Sequence, residues 1–348
     1  MSDMLAQDAR PAETKLTADI SPVEQLCTLV SADMQATDAE IHARLGSAVE
    51  LIPSIASYLI DSGGKRLRPL LTLAAARMGG YTGGGHVLLA AAVEFIHTAT
   101  LLHDDVVDES ALRRGKVAAN LVWGNKPSVL VGDFLISQAF RMMVETGQIG
   151  VLQILSTASA IIAEGEVMQL QFAGSLEGGE SHYMQVITAK TAELFAAAAE
   201  AGANLARVSP AYEAALRDYG MNLGIAFQLI DDALDYSGRQ ALMGKTVGDD
   251  FREGKATLPV LLAYQRADDA GRAFWKQVIE SGHQGERDLE TAITLVEQTG
   301  AIADTVARAR DYAARARVAL GKLPGDFSTS PLGVVLAGVA DFCVDRAY

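Results

Sequence analysis

The sequence predicts an all-α protein, a single domain in which many helices bundle around a central cavity. Three observations predict it. Long segments rich in Ala, Leu, Met, Glu and Gln, such as 87–107 and 152–172, show few of the alternating patterns that mark strands. Short clusters of glycine, proline and small polar residues punctuate them at 62–64, 79–85, 174–181, 237–248 and 324–331. Several helices, the one around 88–102 among them, are apolar on nearly every face, which puts them at the centre of a large bundle. No break is long enough for an interdomain linker, so residues 21–348 are expected to form one domain. Residues 1–20 are polar, contain Pro11 and lack periodicity, and read as a loose tail.

The chain has 348 residues, 49% of them apolar, enough for a sizeable core. Its 43 acidic and 29 basic side chains leave a net charge of −14, which excludes the general attraction to phosphate backbones on which nucleic-acid binding depends. Any polyphosphate site must be built locally. Cys27 and Cys343 stand at opposite ends, so neither a disulfide framework nor a cysteine zinc site is expected, and a reducing cytoplasm fits. The first 20 residues lack the basic start and apolar run of a signal peptide. No uninterrupted apolar stretch of about 18 residues stands out, so no transmembrane segment is expected.

Two aspartate clusters carry the chemistry. In EFIHTATLLHDDVVDES, Asp104, Asp105 and Asp108 follow an apolar helical run, and in FQLIDDALDYSG the pattern recurs as Asp231, Asp232 and Asp235. Residues four apart share a helix face, so like charges there repel by roughly 0.2–0.5 kcal/mol even when exposed, and by more when desolvated. One such cluster could be a solvated acidic turn. Two, both in apolar surroundings, favour a bound cation, because opposite unit charges ~4 Å apart at an effective dielectric near 20 attract by about 4 kcal/mol. Carboxylates without His or Cys partners suit Mg²⁺, which shares its shell with phosphates, and neither cluster has the pattern of an EF-hand loop. A diphosphate held between two helices is the arrangement this implies.

Cationic side chains stand close by in sequence despite the acidic total. GGKRLRP supplies Lys65, Arg66 and Arg68; Arg113 and Arg114 follow Asp108; Lys190 lies in AKTAELF; Lys245 and Lys255 lie in GKTVGDDFREGKATLP. A lone Lys or Arg is ordinarily a solvated surface group, but glycines beside these let backbone approach a phosphate. His97 sits seven residues, about two turns, before Asp104 and so near the same helix face, although a histidine on an apolar helix is commonly a core residue. Asp249 and Asp250 fit an outer metal shell or a loop cap equally well.

In this order, GGKRLRP, HTATLLHDDVVDESALRRG, AKTAELF, FQLIDDALDYSG and GKTVGDDFREGKATLP resemble the motifs of the trans-isoprenyl diphosphate synthases, or polyprenyl synthetases, over about 51–259. The resemblance implies the helical fold of isoprenoid synthases and Mg²⁺-dependent condensation of an allylic diphosphate with isopentenyl diphosphate. Asp104, Asp108 and Asp231 would ligate three Mg²⁺ ions, with Asp105, Asp232 and Asp235 in support. Arg113, Lys190, Lys245 and Lys255 would hold the allylic diphosphate. Lys65, Arg68, His97 and Arg114 would bind the metal-free diphosphate of isopentenyl diphosphate, while Arg66 matches no required position. Thr191 and Gln228 would lie beside the reacting carbons. A homodimer is the usual family form, and transient membrane contact would serve product release.

Chain length is read from the residues before Asp104. Bulky aromatics there give short products in the family, whereas this sequence has Ala99 and Thr100, so a product of about octaprenyl to decaprenyl size is expected, suited to a ubiquinone side chain. Phe140, Met142 and Met143 are candidate floor residues, though plain core packing is the more ordinary reading. A class I terpene cyclase would share the fold and aspartates but needs no second diphosphate site. A non-catalytic prenyl-binding subunit could dispense with the aspartates, and both clusters are complete here. A farnesyl or geranylgeranyl synthase is the nearer alternative.

Overall fold

Ser21 opens the first helix by a reciprocal cap: its hydroxyl accepts from the Glu24 N–H, and Glu24 reaches back to the Ser21 N–H at 2.8 Å. From there a computed structural model describes residues 20–237 and 248–345. Residues 1–19, the segment that would form the tail, and Lys245 lie outside them.

The helices run Pro22–Leu29 (α1), Ser31–Arg44 (α2), Leu51–Ile60 (α3), Leu67–Met78 (α4), Gly85–Val107 (α5), Ala119–Trp123 (α6), Asn125–Glu145 (α7) and Ile149–Phe172 (α8). They continue as Gly179–Ile187 (α9), Glu193–Leu205 (α10), Pro210–Asp235 (α11), Asp249–Arg252 (α12), Leu258–Arg266 (α13) and Asp269–Trp275 (α14), ending with Asp288–Gln298 (α15), Ala301–Leu320 (α16) and Pro331–Asp345 (α17). Four of the five sequence breaks fall between helices, and most of the fifth lies outside the described residues. One element departs from the all-α expectation. Leu112–Arg113 (β1) and Lys116–Val117 (β2) form a two-stranded hairpin whose turn residues, Arg114 and Gly115, both have positive φ, the geometry that suits a tight hairpin.

Two apolar clusters fill the bundle. One gathers α4, α10, α11, α13, α16 and α17 around Trp275, Tyr219 and Phe195; the other gathers α5, α7 and α8 around Phe95, Leu135 and Leu155. Helix α10 contributes to both. Two helices, α5 and α8, are long and apolar enough to match a membrane span by length and composition, a feature the search for an uninterrupted apolar run missed. In α5 the apolar window is 67% buried inside the bundle, as befits a core helix. In α8 it is 28% buried, leaving an open apolar face.

Glycines set how closely the site-bearing helices approach. Residues Thr188–Ala192 form a single π turn between α9 and α10, and such turns displace side chains from the regular helical positions. A Cβ on Gly165 of α8 would sit 2.9 Å from the Lys190 backbone nitrogen; one on Gly224 of α11 would sit 2.6 Å from Ala192 Cα. The π turn is thus clasped between α8 and α11 at backbone distance. Overpacking costs about 1–3 kcal/mol, more than the ~1 kcal/mol that alanine gains over glycine within a helix. Gly224→Ala is therefore expected to lower the thermal midpoint, and a raised midpoint would show that α11 does not press on this turn.

Candidate active site

Asp104 lies in the last turn of α5, and Asp108 caps that helix with its N–H donating to the Asp104 carbonyl at 2.8 Å. The two carboxylates keep helical register and meet lysines from elsewhere in the chain. Lys255 Nζ stands 2.9 Å from Asp108 and also pairs with Glu253; Lys190 Nζ, on the π turn, stands 3.7 Å from Asp104 and 2.8 Å from Glu166. Burial opposes the charge of Lys255, but Asp108, Glu253 and Asp250 together hold its pKa above the ordinary value. Burial, then the charge of Asp104, raises Glu166 to about 7 against the pull of Lys190.

Asp105 turns away from this pair. It is fully buried and receives Arg113 Nε at 2.7 Å and Nη2 at 2.6 Å, while Asn120 donates to its carbonyl. The second cluster divides in the same way. Asp232 accepts from Tyr183 at 2.5 Å and from Gln228 Nε2 at 2.7 Å, and Thr191 donates to Gln228 Oε1 at 3.0 Å, so a chain of hydrogen bonds ties the π turn to α11. Asp235 accepts the backbone N–H groups of Asp249 and Asp250, which fastens α12 to the end of α11. Burial lifts Asp232 to about 7 and Asp235 to about 6 even so. Asp231, half-buried, lies close enough for its charge to act on Arg68.

Asp108, Lys190, Thr191, Gln228, Asp232, Asp250 and Lys255 all border one cavity of about 410 Å³. Its outer rim includes Leu170, Phe172 and His182, the last two stacked at 3.9 Å between ring centres. Ala99 does not border it. That side chain is wholly buried in one apolar cluster with Leu135, Met142, Met143 and Ile162; Thr100, half-buried, donates to the His97 carbonyl; Phe140 is 37% exposed and is no floor residue in this structure.

A separate group of cations surrounds the start of α4. Arg68 lies over the Phe195 ring at 4.2 Å, with Nη1 3.2 Å from His97 Nε2 and its Nε without a hydrogen-bond partner. Burial lowers Arg68 to about 10. Burial, then the charges of Arg68 and Arg114, pushes His97 well below its usual value, so the ring is neutral and its Nε2 accepts. Arg114, placed by the hairpin turn, donates to the Gly63 and Leu59 carbonyls, and its guanidinium packs 3.1 Å from where a Cβ on Gly64 would be. Lys65 stands 5.7 Å over the Phe342 ring of α17. Arg66, set aside from the sequence, pairs with the buried Glu94 at 3.0 Å.

Glu94, Glu166 and Tyr183 were not found by sequence reasoning. A glutamate within the apolar run AAAVEFIH was a legible sign of a buried charge. Glu166 and Tyr183 gave no comparable signal.

Among the described residues no three carboxylate, His or Cys groups already converge into a metal cage. The donors nevertheless fit a hard cation that completes its shell with phosphate oxygens and water. All are carboxylates, the counter-ions beside Asp104 and Asp108 are lysine ammonium groups, and Glu166 Oε1 and Asp105 Oδ2 are buried without hydrogen-bond partners.

A helical bundle with paired aspartate clusters, lysines across a cavity and a separate arginine group is the site of an enzyme that handles diphosphates. The profile of the polyprenyl synthetase family matches residues 49–296, further than the motifs alone reach, and the chain belongs to that family of prenyltransferases. It is 45% identical over 324 residues to the octaprenyl diphosphate synthase of Escherichia coli (strain K12), covering 93% of this chain and 99% of that protein. The crystal structure of a polyprenyl synthase from Caulobacter crescentus CB15, complexed with calcium and isoprenyl diphosphate, is similar with a TM-score of 0.89 at 52% identity, over 94% of this chain and 98% of that one. That of a decaprenyl diphosphate synthase from Rhodobacter capsulatus gives 0.89 and 51% over 94% and 100%.

The raised carboxylates fix a direction of pH dependence. Asp232 binds its proton up to about 7 in the folded chain against an ordinary 3.8, so the stability tied to that proton is lost as pH rises through about 7. Asp232→Asn keeps the neutral form at every pH. Without metal, the thermal midpoint of the parent should fall more than that of Asp232→Asn between pH 5 and 8, and parallel curves would refute the assignment.

Proposed function

We propose that this protein is a long-chain trans-polyprenyl diphosphate synthase, which condenses an allylic diphosphate such as farnesyl diphosphate with successive isopentenyl diphosphates. The observation that carries the reading is the meeting of Asp104 and Asp108 with Lys190 and Lys255, beside the cavity that Asp232 also borders. Its relatives include an octaprenyl and a decaprenyl synthase, which supports a product of about eight to ten units and a role in making the ubiquinone side chain. We place it in the cytoplasm, a reading supported by two cysteines 316 positions apart in the chain and by the burial of α5.

Asp104, Asp108 and Asp231 would hold three Mg²⁺ ions, with Asp105, Asp232 and Asp235 keeping those ligands in place. The bound ions supply Lewis-acid stabilisation of the departing diphosphate. Lys190, Lys245, Lys255 and Arg113 bind that same diphosphate and neutralise the charge that develops on it as the bond from carbon 1 to oxygen breaks. Lys65, Arg68, His97 and Arg114 grip isopentenyl diphosphate with its double bond facing carbon 1. The π electrons form the new carbon–carbon bond, and the tertiary cation left behind loses a proton to the departed diphosphate. Thr191 and Gln228 direct oxygen dipoles at the cationic carbons.

Elongation needs room beyond Ala99, where Leu135, Met142 and Met143 now pack. The growing chain would part α5 from α7 there, and a small residue at Ala99 leaves the entrance open. The open apolar face of α8, together with exposed apolar residues on α6 and α7 such as Leu121, Leu130 and Val144, supports pairing with a second copy and brief contact with a membrane when product leaves. Light scattering should give the mass of two chains; the mass of one would exclude the dimer.

Mass spectrometry of products from farnesyl diphosphate, isopentenyl diphosphate and Mg²⁺ tests the whole reading. Chains of about eight to ten units are expected from the parent and shorter ones from Ala99→Phe. Diphosphate release without isopentenyl diphosphate would point instead to a cyclase.

A further inference from the structure

Glu94 is 2% exposed at the middle of α5, on a turn otherwise made of Ala, Val and Phe. A carboxylate there loses its hydration and persists only with compensating charge. Arg66 Nη1 provides it at 3.0 Å. Burial pushes Glu94 up, and the charges of Arg66, Arg114 and Arg68, in that order, pull it back. In return Glu94 is the largest favourable charge acting on Arg68 and on Arg114. One buried anion therefore faces three guanidinium groups brought in from three places: the loop before α4, α4 itself and the hairpin.

Those guanidinium groups would drive one another apart in the absence of substrate, since each like-charge pair desolvated together repels. Arg66 occupies the left-handed region at φ 48°, and it is the residue from which α4 starts. Holding its side chain fixes where the first turn of α4 begins, and so where Arg68 departs from it. His97 lies three residues after Glu94 on α5, one turn along the same face, and receives Arg68 Nη1. Glu94 thus holds Arg66 on one side while His97 receives Arg68 on the other, and the bare Nε of Arg68 is left for an incoming anion.

We infer that Glu94 is a positioning residue for the metal-free diphosphate subsite, holding Arg66, Arg68 and Arg114 in register to receive isopentenyl diphosphate. This rests on the subsite proposed above. Mere removal of a negative charge would strengthen diphosphate binding; loss of register weakens it, so the two effects differ in sign.

The test compares Glu94→Gln, Glu94→Asp and Arg68→Gln in the full enzyme with Mg²⁺ and farnesyl diphosphate. Glu94 acts on the subsite only through the arginines it holds, so losing it should cost about what an ordinary net hydrogen bond is worth, roughly fivefold to tenfold, in KM for isopentenyl diphosphate on Glu94→Gln. The KM for farnesyl diphosphate and kcat should stay within about twofold. Glu94→Asp, which keeps the charge, should raise the isopentenyl KM less, and it carries the test alone should the glutamine variant not fold. An unchanged or lowered isopentenyl KM, or equal rises for both substrates, overturns the inference. Arg68→Gln separates the two levels of the argument. If it raises the isopentenyl KM while the Glu94 variants do not, only the role of Glu94 fails; if it does not, the subsite itself is wrong.

Discussion

Desolvated like charge is the constraint from which the rest of the site follows. Asp108, Asp232 and Asp250 border one cavity among apolar helices with the other cluster aspartates and Glu166 close by, and burial together with like charge raises Glu166, Asp232 and Asp250. Each is held by a different device. Asp104 and Asp108 are balanced by the ammonium groups of Lys190 and Lys255, Asp105 by the guanidinium of Arg113, Asp232 by two neutral donors, and Asp235 by backbone N–H groups. In the proposed mechanism the lysine-paired carboxylates would exchange their lysines for a metal, and those held by Arg113, Tyr183, Gln228 and backbone N–H groups would keep the frame.

That frame depends on close backbone approach. The π turn bearing Lys190 and Thr191 reaches both Asp104 and Gln228 because Gly165 and Gly224 let α8 and α11 close on it. A side chain at Gly165 would push α8, and one at Gly224 would push α11, away from this turn. Backbone geometry is unusual around the cation group as well: Arg66, Glu109 and Arg114 all take left-handed φ without being glycine, a cost of order 1–3 kcal/mol each that persists only where surrounding contacts impose it. For Arg66 and Arg114 those contacts are Glu94, the Leu59 and Ile60 carbonyls at the end of α3, and the Gly63 carbonyl of the loop that follows.

The opposed behaviour of the two substrate regions follows from the same physics. Around Asp104 and Asp232, anions outnumber cations, and in the proposed reading a hard cation would have to bind before a diphosphate. Around Arg68, the guanidinium groups of Arg66, Arg68 and Arg114 face Glu94 with Asp231 nearby, and in the proposed reading a diphosphate would enter there without a metal. A chain with net charge −14 could bind two polyphosphates as proposed, because these imbalances are local.

The helices were legible in the sequence because propensity and apolar periodicity act over a turn or two, and the six aspartates because i, i+4 spacing is a local property. Their ion chemistry followed from residue type alone. The hairpin was not legible, since two residues per strand carry no periodicity, nor was the open face of α8, which depends on what packs beside it. The division of labour among the aspartates likewise had no local signal. Asp104 and Asp105 are neighbours in the chain, yet one faces a lysine from 86 residues on and the other an arginine eight residues on. Glu94 looked like one charge in an apolar helix until α4 and the hairpin brought three arginines to it. The sequence by itself determined the long helices and which residue types are chemically suited to a metal or a phosphate. Only the tertiary structure decided which of those atoms face the cavity, because that depends on contacts between residues dozens of positions apart.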